Sequence, residues 1–71
     1  MIVNTDAPEL LTAREAGELC GIAPSTLHEY AVRLEAGGPQ QGPPHVALGP
    51  RRRRWVRADV VAWLEARRVG R

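Results

Sequence analysis

The sequence has one cysteine (Cys20), no lysine, and no long apolar run. A single thiol excludes an internal disulfide and a cysteine metal cluster. Its expected role is that of a small buried hydrophobe near a helix end. No stretch approaches the roughly 18 apolar residues of a membrane span, so no membrane contact is expected. Met1 to Asp6 has neither the basic start nor the apolar stretch of a secretory leader. A cytoplasmic, nucleoid-associated protein is the expectation. Catalytic groupings are missing too. No Ser/His/Asp arrangement is evident, and Gly37-Gly38 is not followed by the Gly-Lys-Ser/Thr of a phosphate loop. His28 and His45 lie far apart, with no carboxylate or thiol at ligand spacing. At 71 residues the chain is one small domain, with little core in which to build a catalytic pocket. These absences point to a non-enzymatic protein with no metal and no cofactor.

What is present is an uneven charge distribution. Residues 1–36 carry two arginines against six acids, net −4, whereas residues 37–71 carry eight arginines against two acids, net +6. Arg51 to Arg54 are four consecutive arginines, a concentrated cationic segment suited to a polyanion. Apolar residues make up 44% of the chain and charged residues 25%, values that argue for a folded domain over disorder.

Residues 1–9 read as a flexible lead-in, 10–68 as the domain and 69–71 as a tail. The first helix is announced by Thr12-Ala13-Arg14-Glu15, a capping box, with Leu11 placed as a hydrophobic staple. Ala13, Ala16, Leu19 and Cys20 recur at helical spacing until Gly21 ends the helix. A short turn through Ile22 leads to Pro24 at the first position of a second helix, which should run to about Ala36. Its apolar stripe is Leu27, Tyr30, Ala31 and Leu34; Ser25, His28, Glu29, Val32 and Arg33 lie opposite. Two short helices joined by a tight Gly-containing turn form a helix-turn-helix. Residues 37–44 are a breaker-rich loop. His45 to Leu48 and Arg53 to Val56 read as two strands around a Gly49-Pro50-Arg51-Arg52 turn. A last helix is expected from Arg57 or Ala58, with Asp59 in its first turn and Arg67 and Arg68 in its last. Val60, Trp63 and Leu64 form its buried stripe. Tyr30 and Trp63 are expected in the core, while Trp55 reads as more open. The fold class is therefore mainly α with a small β-hairpin.

The stretches Leu11-Thr12-Ala13-Arg14-Glu15-Ala16, Cys20 to Leu27 and Arg54 to Leu64, at these intervals, resemble the excisionase family. These are small winged helix-turn-helix proteins of phages and integrative elements, related to the DNA-binding domains of MerR-type regulators. The resemblance covers roughly residues 10 to 66. It implies that the second helix enters the major groove and that the hairpin is a wing on an adjacent minor groove or backbone. Two features depart from the family pattern: a longer, Pro-rich loop at 37–44, and Glu29 where a basic residue is common.

The expected partner is double-stranded DNA. Arg51, Arg52, Arg53 and Arg54 are the leading candidates for phosphate and minor-groove contact, because the guanidinium fork fits phosphate oxygens. Alternation along the strand should keep them from all pointing one way, and one is expected to pair with an acid of the first helices such as Glu15 or Glu18. Ser25, Thr26 and His28 lie near the inserted end of the second helix. Glu29 has two readings, an acceptor for cytosine N4 or a salt bridge to Arg33 at i+4. Arg33 is a phosphate candidate. The function that follows is sequence-specific DNA binding by an excisionase-like recombination directionality factor. It would bend attachment-site DNA in favour of integrase-mediated excision, with neighbouring copies of itself and an integrase as the expected protein partners on DNA. A small phage or mobile-element transcriptional regulator is the alternative within this fold. A protein-interaction module using the arginine-rich hairpin is the alternative of another class.

Overall fold

The computed structural model describes residues 7–70; most of the expected lead-in and Arg71 lie outside them. Six elements follow in order: β1 (Leu10–Leu11), α1 (Ala13–Cys20), α2 (Pro24–Glu35), β2 (Val46–Gly49), β3 (Arg52–Val56) and α3 (Arg57–Ala66). Three helices thus pack with a small antiparallel sheet of strand order β1-β3-β2.

The capping box predicted for α1 forms as expected. The Glu15 amide donates to Thr12 Oγ1 at 3.2 Å, and the Thr12 amide donates to Glu15 Oε1 at 2.9 Å. Two orphan amides of the helix start are thereby satisfied. At the other end Gly21 adopts φ 74°, a left-handed cap that glycine reaches without a Cβ clash. Gly17, inside α1, has a different reason: a Cβ there would collide with the Ile22 carbonyl. Its absence lets the α1–α2 turn fold back against the helix. The start of α2 has Pro24 at its first position and no side-chain cap from Ala23.

The core is made of Leu11, Ala13, Ala16, Leu27, Ala31, Trp55 and Val60. Leu19, Cys20, Ile22 and Leu64 pack against it, so Cys20 has the partly buried apolar role expected of it. Trp55 is 1% exposed and is among the largest fully buried side chains. This reverses the expected ranking of the aromatic residues. Trp63 is only half-buried, with the Arg67 guanidinium 4.3 Å from its ring centroid. Tyr30 is half-buried against Gly42. The physical reason is topological. Strand β3 is the central strand of the sheet, paired on both sides, so its inward residue lies between the sheet and the helices.

Several boundaries differ from the sequence reading. Leu10–Leu11 forms a third strand, pairing Leu10 with Val56 and Leu11 with Trp55. The Arg57 amide donates to the Glu9 carbonyl at 2.9 Å and continues that ladder. Strand β2 spans 46–49 and β3 begins at Arg52, leaving Pro50 and Arg51 as the turn. The pairing shifts register between Ala47 and Gly49, a bulge around Leu48. Helix α3 ends at Ala66 with Arg67 as its cap, so neither Arg67 nor Arg68 lies in its last turn. The 37–44 segment has no regular structure, as expected, yet Gly42 and Pro43 are buried. No helix among the described residues is long and apolar enough to cross a membrane.

Candidate nucleic-acid interface

Helix α2 has two opposed stripes. Leu27 and Ala31 face the core, with half-buried Leu34 further along the same stripe (i, i+4, i+7), and Ser25, Glu29 and Val32 at the same spacing face outward. Ser25 is exposed near the helix start, while Thr26 is half-buried. His28 is exposed as a residue, but its ring meets Trp55 edge-on, with centroids 5.8 Å apart and planes at 81°. It therefore lies at the seam between α2 and β3.

Of the two open readings of Glu29, the salt bridge is present: Arg33 donates to Glu29 Oε2 at 2.7 Å, with both side chains more than half exposed. The same guanidinium donates to Gln41 Oε1 at 3.3 Å. Arg33 is thus held between its own helix and the 37–44 loop, and the outward face of α2 is close to neutral.

The four consecutive arginines separate into different environments. Strand alternation places Arg53 on the side of buried Trp55, and Arg52 and Arg54 on the other. Arg53 pairs with Glu35, at the C-terminal end of α2, through Nε to Oε2 and NH2 to Oε1, both at 2.8 Å. This is a bidentate fork, the strongest geometry available to the pair. His45 Nε2 lies 2.6 Å from the same Glu35 Oε2, and its side chain is 6% exposed. The His45 ring also sits tilted against Trp55, 6.0 Å between centroids. Hydrogen bonds from Arg53, and secondarily from His45, hold the Glu35 carboxyl at about 2, against the opposing effect of burial. The same bond pushes the Arg53 pKa up.

The expected internal ion pair therefore exists, but its acid is Glu35 and not Glu15 or Glu18. Glu15 is used in the cap of α1. The sequence reading weighs His45 only as a metal ligand and as a strand residue, and gives Glu35 no role. One signal was available: an acid in the last turn of a helix is disfavoured by the helix dipole and calls for a compensating cation.

Arg51 and Arg52 are exposed at the hairpin tip, and Arg54 is half-buried, donating from NH1 to the Arg53 carbonyl at 2.8 Å. Among the described residues, none of these three is paired with an acid. Arg51 has φ 62°, a left-handed backbone that a residue with a Cβ rarely adopts. The turn therefore holds an arginine where glycine would sit without strain.

The comparisons with known proteins add one relation. The chain is 34% identical over 61 residues to an uncharacterized protein, ORF88, of Enterobacteria phage P4. The match covers 86% of this chain and spans 62% of the length of that phage protein. No family model matches the chain, and no solved structure matches it.

Proposed function

We propose that the chain is a winged helix-turn-helix protein that binds duplex DNA, with α2 in the major groove and the β2–β3 hairpin as the wing. The observation that carries this reading is the hairpin. Arg51 and Arg52 are exposed at its tip and Arg54 is half-buried on the same strand, and among the described residues none of the three pairs with an acid. Like charges so close together repel one another, and phosphate relieves that repulsion. The clamp of Glu35 on Arg53 and His45 supports the reading further. It ties the end of α2 to the hairpin, so that helix and wing meet DNA as one body.

Within this class the chain acts as an excisionase-like directionality factor that bends attachment-site DNA for an integrase. The motif resemblance supports this, and a relative encoded by a phage accords with it. The near-neutral face of α2 supplies modest base reading, so affinity comes chiefly from phosphates and specificity partly from DNA shape and neighbouring copies. The test compares affinity for attachment-site duplex with that for random duplex at physiological salt. The expected result is a preference of about a thousandfold or more when several copies bind together. Equal affinity for the two would sink the proposal.

A further inference from the structure

Val32 is the large apolar residue of α2 that the fold leaves exposed. It is 50% exposed, in the middle of the helix, on the stripe that also carries Ser25 and Glu29. A β-branched residue at an exposed helix position is worse for the helix than alanine and buries little. Its methyl groups point away from the core and toward whatever α2 meets.

Glu29 lies three residues earlier, one turn along the same face. Arg33 binds its Oε2 at 2.7 Å, and among the described residues Oε1 accepts no hydrogen bond. The pairing does two things. It cancels the charge that would keep a carboxylate away from phosphates, and with Gln41 holding Arg33 from the other side, it fixes where Oε1 points. A free, oriented acceptor and an exposed pair of methyls thus lie on one helix face. Side chains at this spacing are about 5–6 Å apart, which corresponds to one or two base-pair steps of about 3.4 Å.

We infer that this face reads pyrimidines: Val32 packs on the C5-methyl group of a thymine, and Glu29 Oε1 accepts from the N4 amino group of a cytosine one or two steps away. The chemistry fits the major groove, where thymine alone shows a methyl and cytosine a lone amino donor. Arg33 is then a positioning residue for Glu29 and not a phosphate contact. The inference rests on α2 lying in the major groove, as proposed above.

The experiment starts with selection of the full chain on a pool of random duplexes. Each thymine of the enriched site is then replaced by deoxyuridine, which removes only the methyl. One replacement should weaken the wild-type protein about three- to fivefold, the worth of one buried methyl. Val32→Ala should bind the two duplexes equally. Glu29→Ala should lose about tenfold of discrimination at the neighbouring cytosine and gain non-specific affinity as Arg33 is released. Val32→Ala leaves every core contact in place and favours helix, so it should fold. An enriched site indifferent to deoxyuridine at every thymine, or a penalty that persists in Val32→Ala, overturns the inference and leaves duplex binding intact. A folded protein that enriches no duplex overturns the proposed function, and this inference with it.

Discussion

Glu35→Gln should make the protein a tighter but less discriminating DNA binder. In the native arrangement Glu35 takes both forks of Arg53 at 2.8 Å and draws in His45 at 2.6 Å. Arg53 is thereby withheld from phosphate, leaving Arg51, Arg52 and Arg54. Three phosphate contacts on duplex DNA give a salt slope of about −2.7 in log–log form. The glutamine keeps the shape but neither the charge nor the second acceptor, so Arg53 can turn to the backbone and the slope steepens to about −3.6. Between 50 and 200 mM salt the wild-type protein should then lose about 40-fold in affinity and the variant about 150-fold. Fluorescence anisotropy with a labelled random duplex measures both, and circular dichroism confirms that the variant is folded. A folded variant with an unchanged or shallower slope would show that Arg53 is not held in reserve by Glu35.

Arg51→Gly should uncouple stability from binding. Relief of the left-handed strain at φ 62°, less the entropy cost of glycine, stabilises the fold by roughly 0.5–1 kcal/mol, while duplex affinity falls and the salt slope shrinks by about 0.9. Thermal melts and anisotropy on the same sample read the two effects. Acid should expose the Glu35 clamp. A carboxylate held at about 2 against an ordinary 4.5 contributes stability that is complete above 4.5 and drains away as pH falls toward 2. Denaturant midpoints followed across that window should decline in the wild-type protein, and the Glu35→Gln variant should lack that part of the decline. Thr12→Ala removes the acceptor for the Glu15 amide and should cost about 1 kcal/mol, seen as a fall of about 4–8 °C in Tm.

The elements that were legible in the sequence are those whose signals are local. The Thr12–Glu15 box, the Gly21 stop and Pro24 each act within one turn, and each placed a helix end. The two-residue strand β1 has no periodicity to detect and exists only because β3 offers it a partner. The fate of the arginines was hidden for a related reason. Alternation separates Arg53 from Arg52 and Arg54, but which set turns inward depends on which way Trp55 points. An indole in a basic hairpin reads as open until β3 is known to be the central strand. Once Trp55 is inside, Arg53 must share its side and meets the end of α2, where Glu35 waits 18 residues earlier in the chain. The long Pro-rich loop likewise reads as a spacer, whereas its Gln41 helps to hold Arg33.

The most direct test of the central claim is the salt dependence of duplex binding by the triple variant Arg51→Ala, Arg52→Ala, Arg54→Ala, set beside the wild-type protein. Among the described residues these three side chains carry no acidic partner, so their loss should leave the core and the Glu35 clamp in place. Binding driven by the hairpin predicts that affinity collapses and that the slope loses about 2.7. A folded triple variant that binds duplex DNA with the affinity and slope of the wild-type protein would contradict it.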